Sequence, residues 1–241
     1  MFIKSAINLI SVENTARQYI AGRLAMGDLY KQAGRNRKIT LEEIYSPQSY
    51  LALFEDYIAT GKYAKDFWNH YSKEDILEAT QALNKDQDME YNYTTVLMLK
   101  KRYLLNPNQS VYELPQEMYL SIALFLAIPE KKEERIATAI RIYRAISSQK
   151  ISLPTPTLMN ARTNFHQLSS CFKLNLDDDL RSIYHNIENM AQISKFGGGI
   201  GAYLGNIRAK GAEIRGVKGA SGGVIPWIKV INDTAIAVNQ L

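Results

Sequence analysis

The chain holds one cysteine, Cys171, in the stretch HQLSSCFKLNLDDDL that runs from 166 to 180. A lone thiol cannot form an internal disulfide. It is buried as a small apolar group, exposed as a nucleophile, or waiting for a second cysteine elsewhere. Ser169 and Ser170 precede it and the PTPT segment lies upstream, so small hydroxyl residues could line a pocket that holds a phosphate near the thiol. A thiol hydrolase would need a histidine and an orienting carboxylate around the sulfur, for which His166 and Asp178 could be proposed although the sequence does not show that they converge. The three histidines, at 70, 166 and 185, lack short ligand spacing, which argues against a metal site within this chain. GGGIGA at 197–202 formally fits a GxGxxA pattern, but a predicted helix precedes it where a dinucleotide fold requires a strand. No Lys-Ser or Lys-Thr follows those glycines, which excludes a P-loop. Their backbone N–H groups could still approach a phosphate or a sugar.

The elements that must position these residues change character along the chain. The first ~150 residues carry helical periodicity, with amphipathic runs over about 14–33, 47–59, 73–83, 89–103 and 131–148. Gly34 is expected to close the first run, and Pro47 opens the second. After Lys150, Pro154 and Pro156 are expected to break any helix. Leu168 to Leu176 alternates as a buried strand would, and ends at Asp177, Asp178 and Asp179. A helix follows over 179–195 with a stripe at Leu180, Ile183, Ile187, Met190 and Ala191. The glycine-rich stretch from 197 to 223 predicts tight turns rather than regular structure, and a last helix spans about 225–240. The predicted division is a helical domain over 1–150 and an α/β domain over 151–241.

Composition sets outer limits. At 46% hydrophobic and 22% charged, 241 residues can bury a sizeable core. The net charge of +5 is spread along the chain, and no basic run is interleaved with aromatics, so no nucleic-acid partner is expected. The apolar patch from Ile7 to Val12 is interrupted by Glu13 and Arg17, far short of the ~20 residues of a membrane span. A soluble chain with no targeting signal and no membrane partner is expected, and a single cysteine fits the cytoplasm.

Four motifs then occur in order. SLPTPTLMNARTNFHQLSSCF, DDDLRSIYHNI, GGGIGAYLGNIRAKGAEIRG and SGGVIPWIKVINDTAIAVNQ together resemble the catalytic large subunit of class I ribonucleotide reductase. ISVENTARQYIAGRLAMGDLYK resembles the family's helical segment just after its regulatory ATP-cone. The resemblance implies a mainly helical N-terminal region followed by the first part of a ten-stranded α/β barrel. It implies thiyl-radical reduction of a ribonucleotide, with Cys171 as the first of the reducing thiol pair and Thr155, Ser170 and Gly199 at substrate-contacting positions. Asp178, Arg208 and Ile214 match the effector specificity site for a dNTP or ATP, with 209–220 as its first regulatory loop. The helix over 179–195 would pair with its symmetry mate, making Leu180, Ile183 and Ile187 interface rather than core.

The same resemblance implies partners. A metal-containing small subunit would supply the radical, a thioredoxin- or glutaredoxin-type protein the reducing equivalents, and this chain would bind no cofactor of its own. No ATP-cone precedes Ser11, so control at that site is expected to be missing. Leu241 falls inside the segment matching the second regulatory loop. A companion polypeptide is therefore expected to carry the radical cysteine, the second reducing cysteine and the rest of the barrel. The alternatives are a non-catalytic dNTP-binding or regulatory relative, and a piece left by an intein or genetic insertion.

Overall fold

In the computed structural model, which describes residues 2–196 and 198–238, helix-forming runs with clear start and stop signals become helices close to where periodicity puts them. The helices are α1 (Phe2–Asn8), α2 (Arg17–Arg37), α3 (Pro47–Ala59), α4 (Phe67–His70), α5 (Lys73–Thr80) and α6 (Tyr93–Met98). They continue as α7 (Pro115–Ala127), α8 (Lys132–Ser147), α9 (Thr155–Asn160), α10 (Leu180–Lys195) and α11 (Ile225–Val238). Pro47 occupies the first turn of α3 behind the Ser46 cap, and Ser72 with Asp75 forms a reciprocal capping box on α5. Helix α2 runs through Gly34 and ends at Lys38 in the left-handed conformation, later than expected. Tyr19, Ile20 and Leu24 are exposed, and Ala21, Gly22, Ala25, Met26 and Leu29 face the core. A Cβ on Gly22 would collide with the Tyr91 carbonyl oxygen, so a small residue is required where these segments touch.

The chain divides into two units, the first ending at Leu168 and the second beginning at Ser169. This boundary falls later than the expected 150/151. The intervening segment belongs with the helices because Leu153, Leu158 and Leu168 pack on their core and Ala161 and Arg162 are fully buried there. Pro154 and Pro156 do not break this segment into loop. Pro154 caps α9 and Pro156 sits in its first turn, where a missing N–H costs nothing. The predicted helix over 89–103 divides into a 3₁₀ segment (Lys85–Glu90), α6 and a π-helical turn (Leu99–Tyr103).

Helix α7 lies in the middle of the first unit, and nearly every one of its residues is buried. Polar groups there are satisfied by two networks of residues distant in sequence. The Asp88 carboxylate accepts the hydroxyls of Tyr30 and Tyr45, each at 2.6 Å, and the Gln116 side-chain amide at 2.7 Å. Burial pushes Asp88 up to about 6, against the lowering effect of those three donors. In the second network Glu113 and Arg162, both fully buried, pair through two bonds of 2.8 Å. Tyr63 donates its hydroxyl, and Leu105 its backbone N–H, to the same carboxylate at 2.6 Å.

The second unit is a β-α-β arrangement. Strands β1 (Cys171–Asn175) and β2 (Gly199–Tyr203) pair in parallel, with Cys171 opposite Gly199 and Asn175 opposite Tyr203, and α10 connects them. The strand expected over 168–176 is shorter and is not buried. Cys171, Lys173 and Asn175 are exposed, Phe172 and Leu174 half-buried. Part of the glycine-rich stretch is regular after all: Gly199–Tyr203 forms β2, and a Cβ at Gly199 would crowd the Ser170 carbonyl oxygen at 3.2 Å. Gly197 and residues 239–240, which fall within the predicted glycine pattern and last helix, lie outside the described residues. Leu176, Ile183 and Ile187 form the unit's own core, packed by Leu204, Ile207, Trp227, Val230 and Ile231. The α10 stripe is therefore split. Ile183 and Ile187 are core rather than interface, and Leu180, with Tyr184, remains exposed on the outer side.

Candidate functional site

Cys171 opens β1 with an exposed thiol, so the buried alternative is excluded. The Ser170 hydroxyl donates to the sulfur at 3.7 Å. The opposing β2 residue is Gly199, where a Cβ would stand 3.2 Å from the Ser170 carbonyl oxygen and 3.9 Å from the sulfur. Glycine there leaves one side of the thiol uncovered and lets the Gly199 N–H donate to the Ser170 carbonyl at 2.7 Å. Cys171, Ser170 and Gly199 thus converge at one end of the parallel pair. His166 stacks on the Phe125 ring within the helical unit, with centroids 4.9 Å apart, and Asp178 is engaged by Arg208.

Thr155 belongs to the helical unit, as the first residue of α9. Its hydroxyl is 3.0 Å from the Tyr103 hydroxyl.

At the other end of the β-α-β unit, the Asp cluster and the glycine-rich stretch form a cleft of about 470 Å³. Asp178, Asp179, Arg208, Ile214, Arg215, Ser221 and Trp227 are among its lining residues. Asp179 caps α10, accepting the Ser182 N–H at 3.0 Å, and this turns the neighbouring Asp178 toward Arg208. Arg208 donates from Nε to Asp178 at 2.6 Å, and its backbone N–H reaches the other carboxylate oxygen at 3.2 Å. Its Nη1 donates to the Glu213 carbonyl at 3.2 Å, tying the arginine to the loop that follows. Both side chains stay about one-third exposed. Such a pair presents a planar cation suited to phosphate oxygens beside a carboxylate suited to sugar hydroxyls.

The loop over 209–221 is held as a narrow ribbon. Ile214 and Val217 exchange both backbone bonds, across a two-residue tip where Arg215 and Gly216 both take positive φ. This fixes Ile214 at the cleft lining. Sequence reasoning placed Asp178, Arg208 and Ile214 together only through the resemblance. It missed Arg215, Ser221 and Trp227, whose signal was the turn-forming Arg-Gly and Gly-Gly pairs that fold the chain back onto α10. Among the described residues no group of three or more His, Cys, Asp or Glu side chains could hold a metal ion, and no helix is long and apolar enough to cross a membrane.

The chain thus joins a helical unit to a β-α-β unit that carries an exposed thiol at one end and a cation–carboxylate cleft at the other. A family profile for the ribonucleotide reductase all-alpha domain matches residues 89–166, and one for the ribonucleotide reductase barrel domain matches 169–241. The chain belongs to the ribonucleotide reductase large-subunit family. The junction between the two matches coincides with the structural boundary at 168/169. A ribonucleoside-diphosphate reductase subunit alpha from Treponema pallidum (strain Nichols) is 41% identical over 243 residues, covering 100% of this chain and 28% of that protein. The subunit alpha of Synechocystis sp. is 41% identical over 238 residues, covering 99% of this chain and 30% of that protein. A large subunit from vaccinia virus (strain Copenhagen) is 32% identical over 231 residues, with 92% and 28% covered. The chain thus spans less than a third of these relatives' length.

Proposed function

We propose that this chain is the first part of a ribonucleotide reductase catalytic subunit, which converts ribonucleoside diphosphates to deoxyribonucleotides by thiyl-radical chemistry once the rest of the barrel is in place. The observation that carries the proposal is the exposed Cys171 thiol, at the start of β1 and uncovered opposite Gly199. In the proposed reaction a thiyl radical on the remaining part abstracts the 3′ hydrogen. Cys171 protonates the departing 2′ hydroxyl, which leaves as water, and with a second thiol supplies the two electrons that reduce the 2′ carbon. The pair ends as a disulfide, and the 3′ hydrogen returns to the sugar. Since Cys171 is the chain's only cysteine, the second thiol must come from elsewhere. The remaining part of the large subunit supplies it.

Thr155, Ser170 and Gly199 are assigned to substrate contacts, and Asp178, Arg208 and Ile214 to a dNTP or ATP effector in the cleft. A metal-containing small subunit provides the radical, and a thioredoxin- or glutaredoxin-type reductant regenerates the thiols in the cytoplasm. Homodimerisation uses the outer side of α10, where Leu180 and Tyr184 remain exposed. Reconstitution tests the proposal. The chain is combined with the remainder of the large subunit, the small subunit and a dithiol, and deoxynucleotide is followed with and without effector. Effector-dependent product that requires this chain is expected. Product formed equally well without the chain would refute the assignment.

A further inference from the structure

The Thr155 hydroxyl has a neighbour whose placement is over-determined. Tyr103 closes the π-helical turn Leu99–Tyr103, a rare backbone geometry often found where a side chain must be re-aimed. Its hydroxyl lies 3.0 Å from the Thr155 hydroxyl, and either oxygen could donate. One guanidinium fixes both ends of that contact. Arg162 donates from Nη2 to the Tyr103 carbonyl at 2.7 Å and from Nη1 to the Leu158 carbonyl of α9 at 2.6 Å. Arg162 is itself held by Glu113 in the fully buried pair, so the turn and α9 are bracketed by one immobile group.

We propose that Tyr103 is a positioning residue that orients the Thr155 hydroxyl proton toward a substrate phosphate. The proposal rests on the assignment of Thr155 to substrate binding. A hydroxyl carries one proton, and an anionic oxygen accepts but does not donate. If Thr155 donated to Tyr103, only lone pairs would face the anion, and contact would be repulsive. A phenol is the stronger donor of the two, so Tyr103 donates to Thr155 Oγ1 and the threonine proton is released for the ligand. Tyr103 is nearly buried, at 9% exposure, and acts through Thr155 without touching substrate itself.

The test is a double-mutant cycle in the reconstituted enzyme with Tyr103→Phe, Thr155→Val and the double variant. Thr155→Ser serves as the conservative control, because it keeps the hydroxyl. Tyr103→Phe removes one oxygen while keeping the ring and the carbonyl that Arg162 holds. It should raise KM for the ribonucleotide roughly three- to tenfold, the range of one hydrogen bond, with kcat and effector affinity nearly unchanged. In the Thr155→Val background the same change should have no further effect on KM, and Thr155→Ser should retain the sensitivity to Tyr103→Phe. If Thr155→Val raises KM and Tyr103→Phe does not, the positioning role is overturned while the substrate assignment stands. If Thr155→Val leaves KM unchanged, the substrate assignment itself fails and this role with it. Equal KM increases in both backgrounds would show that Tyr103→Phe acts by general loosening, which also overturns the proposal.

Discussion

Replacing Glu113 by glutamine should destabilise the helical unit far more than its near-identical shape suggests. The carboxylate accepts four hydrogen bonds, two per oxygen. Tyr63 and Arg162 Nε share one oxygen, and Leu105 N–H and Arg162 Nη2 share the other, all at 2.6 to 2.8 Å. Glutamine keeps one carbonyl oxygen, so its amide end must face two donors with a donor. Those two groups lose their partner inside a site with no exposure, and the Arg162 charge loses its counter-ion. An unsatisfied buried donor costs about 1 to 3 kcal/mol, and breaking a buried pair about 3 to 5 kcal/mol, so a loss of roughly 3 to 5 kcal/mol is expected. Denaturant unfolding followed by helical circular dichroism measures it. Arg162→Met alone should be similarly costly. The combination of Glu113→Leu with Arg162→Met should lose less than the sum of the two single changes, by more than about 2 kcal/mol, because no charge is then left unpaired. A loss below about 1 kcal/mol for Glu113→Gln, or simple additivity in the cycle, would refute the reasoning.

Two other outcomes follow from the Arg208 and Asp88 contacts. In the assembled large subunit, Arg208→Ala should weaken deoxynucleoside triphosphate binding by roughly 2 to 4 kcal/mol, measured by equilibrium binding. Unchanged affinity would remove Arg208 from the effector site. Asp88 holds its proton more tightly folded than unfolded, with its pKa raised from 3.8 to about 6, so the unfolded chain binds fewer protons across that window. Its contribution to stability is therefore largest at the acid end and declines as pH rises from about 4 to 6, by roughly 1.4 kcal/mol per pH unit at most. Unfolding curves of wild type and Asp88→Asn across this range should converge or cross accordingly. A stability difference independent of pH would contradict the burial of an ionisable Asp88.

The parts of the fold legible in the sequence are those with a single buried face and local punctuation. α3, with its proline start, and α8 and α10, with their stripes, appear within a residue or two of the expected ranges. Helix α7 was not legible, because PQEMYLSIALFLA is buried on every side and so shows no period. The close approach of α2 to the Tyr91 carbonyl at Gly22 was not legible either, because a glycine leaves no mark in an apolar period. The networks around Asp88 and Glu113 join residues from Tyr30 to Ser147 and from Tyr63 to Arg162, and no local spacing encodes such convergence. In the site, the sequence left the thiol's exposure open, and its period-two alternation pointed to a buried strand where the structure has an exposed one. The Asp178–Arg208 pair requires the β-α-β fold to bring thirty positions of chain back on itself.

The central claim is that Cys171 is a reducing thiol, and a single-turnover comparison of wild type with Cys171→Ser tests it most directly. The chain is assembled with the remainder of the large subunit, the small subunit, effector and substrate under reducing conditions, and both deoxynucleotide and released base are followed. Serine keeps the size and a weak donor but cannot be oxidised to a disulfide. The account predicts that deoxynucleotide formation is abolished while assembly and effector binding persist. Normal deoxynucleotide yield from Cys171→Ser would contradict it.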